Sequence, residues 1–101
     1  MQNDNISTSI RLNIGDKVYE HSFDTDNREQ LYQMLWNYML QEHLILYTTA
    51  VTLPDGTLAT QIGFLNLEGH EDQTEFDTQD AHELHELLYY FLQECSILAI
   101  I

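Results

Sequence analysis

Apolar side chains alternate with polar ones along the first stretch of the chain, with Ile6, Thr8, Ile10, Leu12 and Ile14 on one side of the alternation. A period of two predicts a strand with one buried face. Gly15-Asp16 follows, a two-residue hairpin loop with Gly in the first position, as a type II′ turn requires. Closing that loop sets Leu12 opposite Tyr19, Ile10 opposite His21 and Thr8 opposite Phe23, and gathers Ile10, Leu12, Ile14, Tyr19 and Phe23 on one face. His21 shares that face, which predicts a structural histidine. The period then changes. Leu31, Met34, Leu35 and Tyr38 recur at helical spacing through about Gln41, and the helix is expected to start near Thr25 or Asp26, where Asp26 and Glu29 resemble a capping box.

The β-prone run Leu44–Leu53, the turn Pro54-Asp55-Gly56 and the run Thr57–Leu67 predict a second hairpin, bent at Gly63. Glu68–Gln73 is polar and charged and reads as a loop, and Thr74–Phe76 as a short edge strand or a lead into the next helix. That second helix is expected to begin near Asp77 or Thr78. Asp80 and Glu83 suit its positive N-terminus, and Ala81, Leu84, Leu88, Phe91 and Cys95, flanked by Leu87 and Leu92, form its apolar face.

These segments repeat at an offset of 53 residues, without gaps. Leu12-Asn13-Ile14 aligns with Leu65-Asn66-Leu67, and Phe23-Asp24-Thr25 with Phe76-Asp77-Thr78. Leu31, Met34, Leu35, Trp36, Tyr38 and Met39 align with Leu84, Leu87, Leu88, Tyr89, Phe91 and Leu92. The tail Ile97–Ile101 aligns with the apolar run from Leu44. The pattern predicts one α+β domain over residues 1–101, an internal duplication of a β-β-α-β unit, with copies at about 6–53 and 57–101. Its expected architecture is an antiparallel or mixed sheet of five or six strands with both helices on one face.

Charge changes the picture from fold to partner. The chain of 101 residues carries 17 Asp and Glu against three basic residues, Arg11, Lys17 and Arg28, for a net charge of −14. Such a surface repels phosphate backbones and anionic membranes and attracts basic protein surfaces. Direct nucleic-acid binding and a membrane role are therefore not expected. Cys95 is the only cysteine, which precludes an intramolecular disulfide and suits a reducing, cytoplasmic setting. The polar start Met1–Asn5 has no apolar signal core, and no run approaches the ~20 apolar residues of a membrane span.

Chemistry is sparse. His82 and His85 stand three apart on the second helix, with His70 in the preceding loop, and together with nearby carboxylates they form the one constellation that metal binding would draw on. The spacing is not that of a His-Glu-x-x-His motif, and solvated neighbours on an acidic helix are the expected reading, so no metal or other cofactor is expected. Cys95 lies on an apolar helix face and is expected to be an inert thiol rather than a nucleophile. No glycine-rich phosphate loop is present. The chain is accordingly expected not to be an enzyme.

The surface pattern carries more. Eight carboxylates fall within Glu68–Glu86 with no basic neighbour, more than solubility requires and at a cost in self-repulsion. Glu71, Asp72, Glu75, Asp80, Glu83 and Glu86 are the expected anionic footprint. Tyr32, Trp36 and Leu40, one turn apart on the first helix, and Tyr89 and Tyr90 on the second are candidate apolar anchors, since Trp and Tyr dominate interface energetics. The first of these ridges would equally serve a homodimer, and burial of that side of the helix by the neighbouring helix or a loop is the alternative reading. In size and bulk charge the chain resembles the DNA-mimicking antagonists of phages and mobile elements, such as anti-restriction and anti-CRISPR proteins. That resemblance implies a non-enzymatic inhibitor bound to a basic surface of a nucleic-acid-handling protein. Toxin-immunity proteins and secretion chaperones share the same character, and a metal- or ligand-binding module built on His70, His82 and His85 is the reading from a different class.

Overall fold

The computed structural model describes residues 7–101; Ile6, which the alternation includes in the first strand, and the polar Met1–Asn5 lie outside the described residues. The elements run β1 (Thr8–Ile14), β2 (Lys17–Phe23), α1 (Arg28–Gln41), β3 (Ile45–Thr52), β4 (Leu58–Leu65), β5 (Glu71–Phe76), α2 (Ala81–Glu94) and β6 (Leu98–Ile100). The fold is α+β, with two helices and two antiparallel sheets of three strands each, in the orders β2-β1-β6 and β3-β4-β5. The single sheet of five or six strands expected above is thus divided in two. The two sheets approach at the ends of β1 and β4, where the Gly15 N–H donates to the Leu67 carbonyl at 2.8 Å. The β1–β2 and β4–β5 hairpins both turn there. A β-carbon on Gly15 would lie 3.3 Å from the Gly69 Cα, and both residues have positive φ, +63° and +80°, so the turns nest at positions suited to glycine.

The β1–β2 register is the one the loop dictates, with Thr8 opposite Phe23, Ile10 opposite His21 and Leu12 opposite Tyr19. Ile10 and Leu12 are fully buried and Phe23 nearly so. His21 does face the helix layer, stacked on Tyr38 at 4.6 Å, but it lies on the edge strand and is exposed, so it is not a core histidine. Glu71–Gln73, expected to be loop, instead forms the first half of β5. Its partner β4 supplies the reason: Ile62 and Phe64 must be covered, and the β5 register brings Thr74 and Asp72 opposite them. β4 is continuous through Gly63, where a bend was expected. The irregularity is in β3, between Ile45 and Tyr47.

Topology links the halves. After α1 the chain does not return to β1–β2; β3 pairs with β4 instead, and β6 in turn pairs with β1. Each hairpin therefore takes its third strand from the other half of the chain.

The helix ends show how local chemistry sets this up. Asn27 caps α1, its Oδ1 accepting from the Gln30 N–H at 3.0 Å, and Asp80 caps α2 through the Glu83 N–H at 3.0 Å. Both caps fall later than the sequence suggested, because Thr25 and Thr78 are engaged one turn upstream. Each threonine hydroxyl accepts from the cap residue's N–H and donates to the side chain five residues on, Gln30 or Glu83. Both helices end alike. His43 and Ser96 take positive φ, +60° and +64°, and the next N–H, of Leu44 or Ile97, donates back to Met39 or Leu92 at 2.8 and 3.0 Å. This closes each helix with a Schellman turn, and Leu44 and Ile97 drop into the core as β3 and β6 begin.

Candidate functional site

The helices meet over the sheets through aromatic residues. The rings of Tyr32 and Tyr89 lie 4.8 Å apart, and those of Trp36 and His85 lie 4.9 Å apart. Tyr32 and Tyr89 are buried in this seam and Trp36 is half-buried against it. This contact turns the buried faces of both helices: α1 buries Leu31, Tyr32, Leu35 and Met39, leaving Met34 exposed, and α2 buries Leu84, Leu88, Tyr89 and Leu92, leaving Ala81 and Leu87 exposed. Of the candidate apolar anchors, only Leu40 and Tyr90 stand largely free. Tyr90 is partly engaged, since its hydroxyl hydrogen-bonds with that of Tyr32 at 2.9 Å and accepts from Arg28 Nη1 at 3.2 Å.

The acidic residues gather on one side of this seam. Glu75 and Asp77 at the end of β5, together with Glu83, Glu86 and Leu87 of α2, line one hollow. Glu83 and Glu86 also wall the adjoining hollow, which Glu29 of α1 completes with Tyr32, His82 and His85. Five exposed carboxylates, Glu29, Glu75, Asp77, Glu83 and Glu86, thus border two neighbouring depressions. Asp80 sits at the start of α2 as its cap. The remaining footprint residues separate: Glu71 pairs with Leu65 and Asp72 with Phe64, so successive side chains on β5 point to opposite faces. Asp72 faces a different depression, with Phe64, Leu67, Glu68, Cys95 and Ile97. Asp77 and Glu29 were missed in the sequence. Asp77 lies inside the acidic stretch and was legible. Glu29 arrives from the other helix, and only the helix contact brings it in.

Among the described residues, no basic side chain forms an ion pair with this strip. The one ion pair among the described residues joins Arg11 Nε and Glu20 at 2.9 Å, on the far hairpin. Arg28 is held to Tyr90, and Lys17 lines a groove with Gly15, Asp16, Leu67 and Glu68 at the meeting of the turns.

Among the described residues, no group of three or more His, Cys, Asp or Glu side chains is placed to hold a metal ion. His70 is in the β4–β5 turn, its N–H donating to Asn66 Oδ1 at 3.0 Å, and it does not line the depression that His82 and His85 share with carboxylates. Cys95 is the C-cap of α2. Burial, then Glu94 and Asp72, push its pKa up, which lowers the thiolate fraction a nucleophile would need.

His85 is the histidine whose titration the seam shifts. Burial against Trp36, and secondarily the neighbouring His82, hold its pKa below the usual 6.5, with Asp80 opposing. The folded state resists a proton that the unfolded chain accepts, so the contribution of His85 to stability is fully present above pH 6.5 and is lost as pH drops below that value toward the depressed folded pKa. We expect the melting temperature to fall less on acidification in His85→Phe, which keeps a ring against Trp36, than in the wild type. Parallel thermal melts at neutral and mildly acidic pH check this, and equal acid sensitivity would contradict it.

Among the described residues, no helix is long and apolar enough to cross a membrane. No family model matches the chain, and no curated protein or solved structure is significantly similar to it.

Proposed function

We propose that this protein is a non-enzymatic acidic antagonist that occupies a basic surface of a nucleic-acid-handling protein. The observation that carries this reading is the uncompensated strip of Glu29, Glu75, Asp77, Glu83 and Glu86 around two adjoining depressions. Capped helices and a paired strand hold the backbone that bears these carboxylates, so their charge is preorganised rather than spread along a mobile tail. A surface of this kind competes with phosphates for Lys and Arg and releases the same counterions. Leu87, exposed among the acids, and Tyr90 on the same helix offer apolar contact beside the charge. Duplication of one β-β-α-β unit is our reading of its origin, supported by the matching caps, helix ends and strand orders of the two halves. The lone thiol suits a cytoplasmic setting.

The test is displacement of fluorescent duplex DNA from a panel of basic DNA-binding enzymes. Displacement by the wild type should weaken by an order of magnitude or more as salt rises from about 0.1 M to about 1 M, where the screening length shrinks from ~10 Å to ~3 Å. The triple variant Glu75→Gln/Asp77→Asn/Glu86→Gln leaves the Asp80 cap and the Thr78–Glu83 contact intact. It should lose about tenfold in apparent affinity at low salt, since three charges at up to ~1 kcal/mol each readily supply the ~1.4 kcal/mol required. Displacement indifferent to both salt and the triple substitution rules the reading out.

A further inference from the structure

The chain has four strands at sheet edges, and they are not alike. β2 carries Lys17 and Glu20, β5 carries Glu71, Asp72 and Glu75, and β6 is only three residues long. Charge and shortness are the usual protections against edge-to-edge pairing. β3 has neither. It spans eight residues, Ile45–Thr52, with no charged side chain, no proline and no glycine. Its neighbour β4 is also uncharged, so that between His43 and Leu67 the sole charged residue is Asp55, in the turn.

The free edge of β3 is open. Leu53 N–H donates to the Thr57 carbonyl, and by the alternation of an antiparallel ladder Val51, Thr49 and Tyr47 direct their backbone groups toward β4. Thr48, Ala50 and Thr52 then direct theirs away, where β3 has no strand partner among the described residues, and all three residues are exposed.

The geometry points to a second copy of this chain as the occupant of that edge, added antiparallel across a two-fold axis at Ala50. In that register Ala50 faces Ala50 of the partner subunit and Thr48 faces the partner's Thr52, so every outward N–H and C=O of the three residues finds a mate and no charge meets a like charge. Charge placement selects this occupant. Two molecules of net charge −14 approach with least repulsion along a neutral edge, and this contact sets their acidic β5 edges at opposite margins of a continuous six-stranded sheet. A basic partner strand would find no charge on β3 to favour it. Tyr32 and Trp36, the other candidate dimer surface, are already engaged in the helix seam. The pairing stands independently of the antagonist reading.

The test is the mass of the full chain by light scattering across a dilution series, with hydrogen exchange on the same samples. The wild type should have twice the chain mass, and the amides of Thr48, Ala50 and Thr52 should exchange at least about tenfold more slowly in the dimer than in a dissociated sample. Ala50→Pro removes an outward N–H that β4 does not use, and should give a monomer with an unchanged circular dichroism spectrum. Ala50→Lys, which sets two cations face to face across the axis, should do the same should the proline variant lose its fold. A wild type that is monomeric at every concentration overturns the proposal, including one whose β3 amides become protected only when a different protein is added. So does a dimer that persists in a folded Ala50 variant.

Discussion

Replacing Leu44 or Ile97 by alanine is expected to cost the fold about 2–5 kcal/mol in each case. The two residues play one part twice. Each directly follows a left-handed residue that ends a helix, donates its N–H back to close that helix, and buries its side chain, 1% exposed in both. Each also supplies a carbonyl to the facing strand: Leu65 N–H donates to Leu44 at 3.1 Å, and Asn13 N–H to Ile97 at 2.8 Å. The backbone bonds survive truncation, so the loss is apolar burial plus the cavity. For a domain of this size each kcal/mol moves the melting temperature by about 4–8 °C, so both variants should melt at least 8 °C or so below the wild type. Leu46→Ala, at a side chain 40% exposed, should cost less than about 1 kcal/mol. Thermal and urea denaturation measure all three. A variant at Ile97 as stable as the wild type would show that β6 does not complete the first sheet.

Gly63→Ala is expected to destabilise by about 1–3 kcal/mol, the usual cost of overpacking. Gly63 is buried in the central strand β4, and the ring of Tyr47 on β3 lies across it. A β-carbon there would stand 2.1 Å from Tyr47 Cε2 and 2.5 Å from Cδ2. The ring cannot move aside freely, because the Tyr47 hydroxyl donates to Gln73 Oε1 at 2.6 Å on the other side of Gly63. Tyr47, Gly63 and Gln73 thus form one row across three strands. If the clash is the cause, Tyr47→Ala should recover part of the loss: the double variant should be more stable than the sum of the two single changes allows. Strict additivity in chemical denaturation would show that the ring does not make glycine necessary at position 63.

The sequence was most informative where one residue's neighbours settle its state. The alternation to Ile14 and the two-residue loop at Gly15 fixed the β1–β2 register to the residue. The helices followed from their period, although their starts lay two residues later than expected because Thr25 and Thr78 spend their hydroxyls on the preceding turn. Pattern failed where tertiary contact decides. Nothing in Glu71-Asp72-Gln73 announces a strand; the need to cover β4 makes it one. The stripe of Tyr32 and Trp36 leaves a partner surface and burial by the neighbouring helix equally open, because the helical period shows that a face is apolar and not what covers it; contact with the second helix buries Tyr32 and, with it, Tyr89. The separation of Asp72 from Glu75 follows from a strand assignment that charge had disguised. The Pro54-Asp55-Gly56 turn announces the β3–β4 pairing, but the β1–β6 pairing is invisible to any local signal, since periodicity reports which face is buried and not which strand lies alongside.

The β1–β6 pairing also constrains how the molecule comes into being. As synthesis proceeds, β1–β2 and α1 emerge with one strand position vacant, which among the described residues is filled by Leu98–Ile100. The early half must wait, with Ile10 and Leu12 unshielded along that margin, until β6 has left the ribosome. Such long-range closure is slow compared with hairpin formation. Mutual repulsion among nascent chains of this charge disfavours their association meanwhile, so the acidity protects the chain while it is still incomplete.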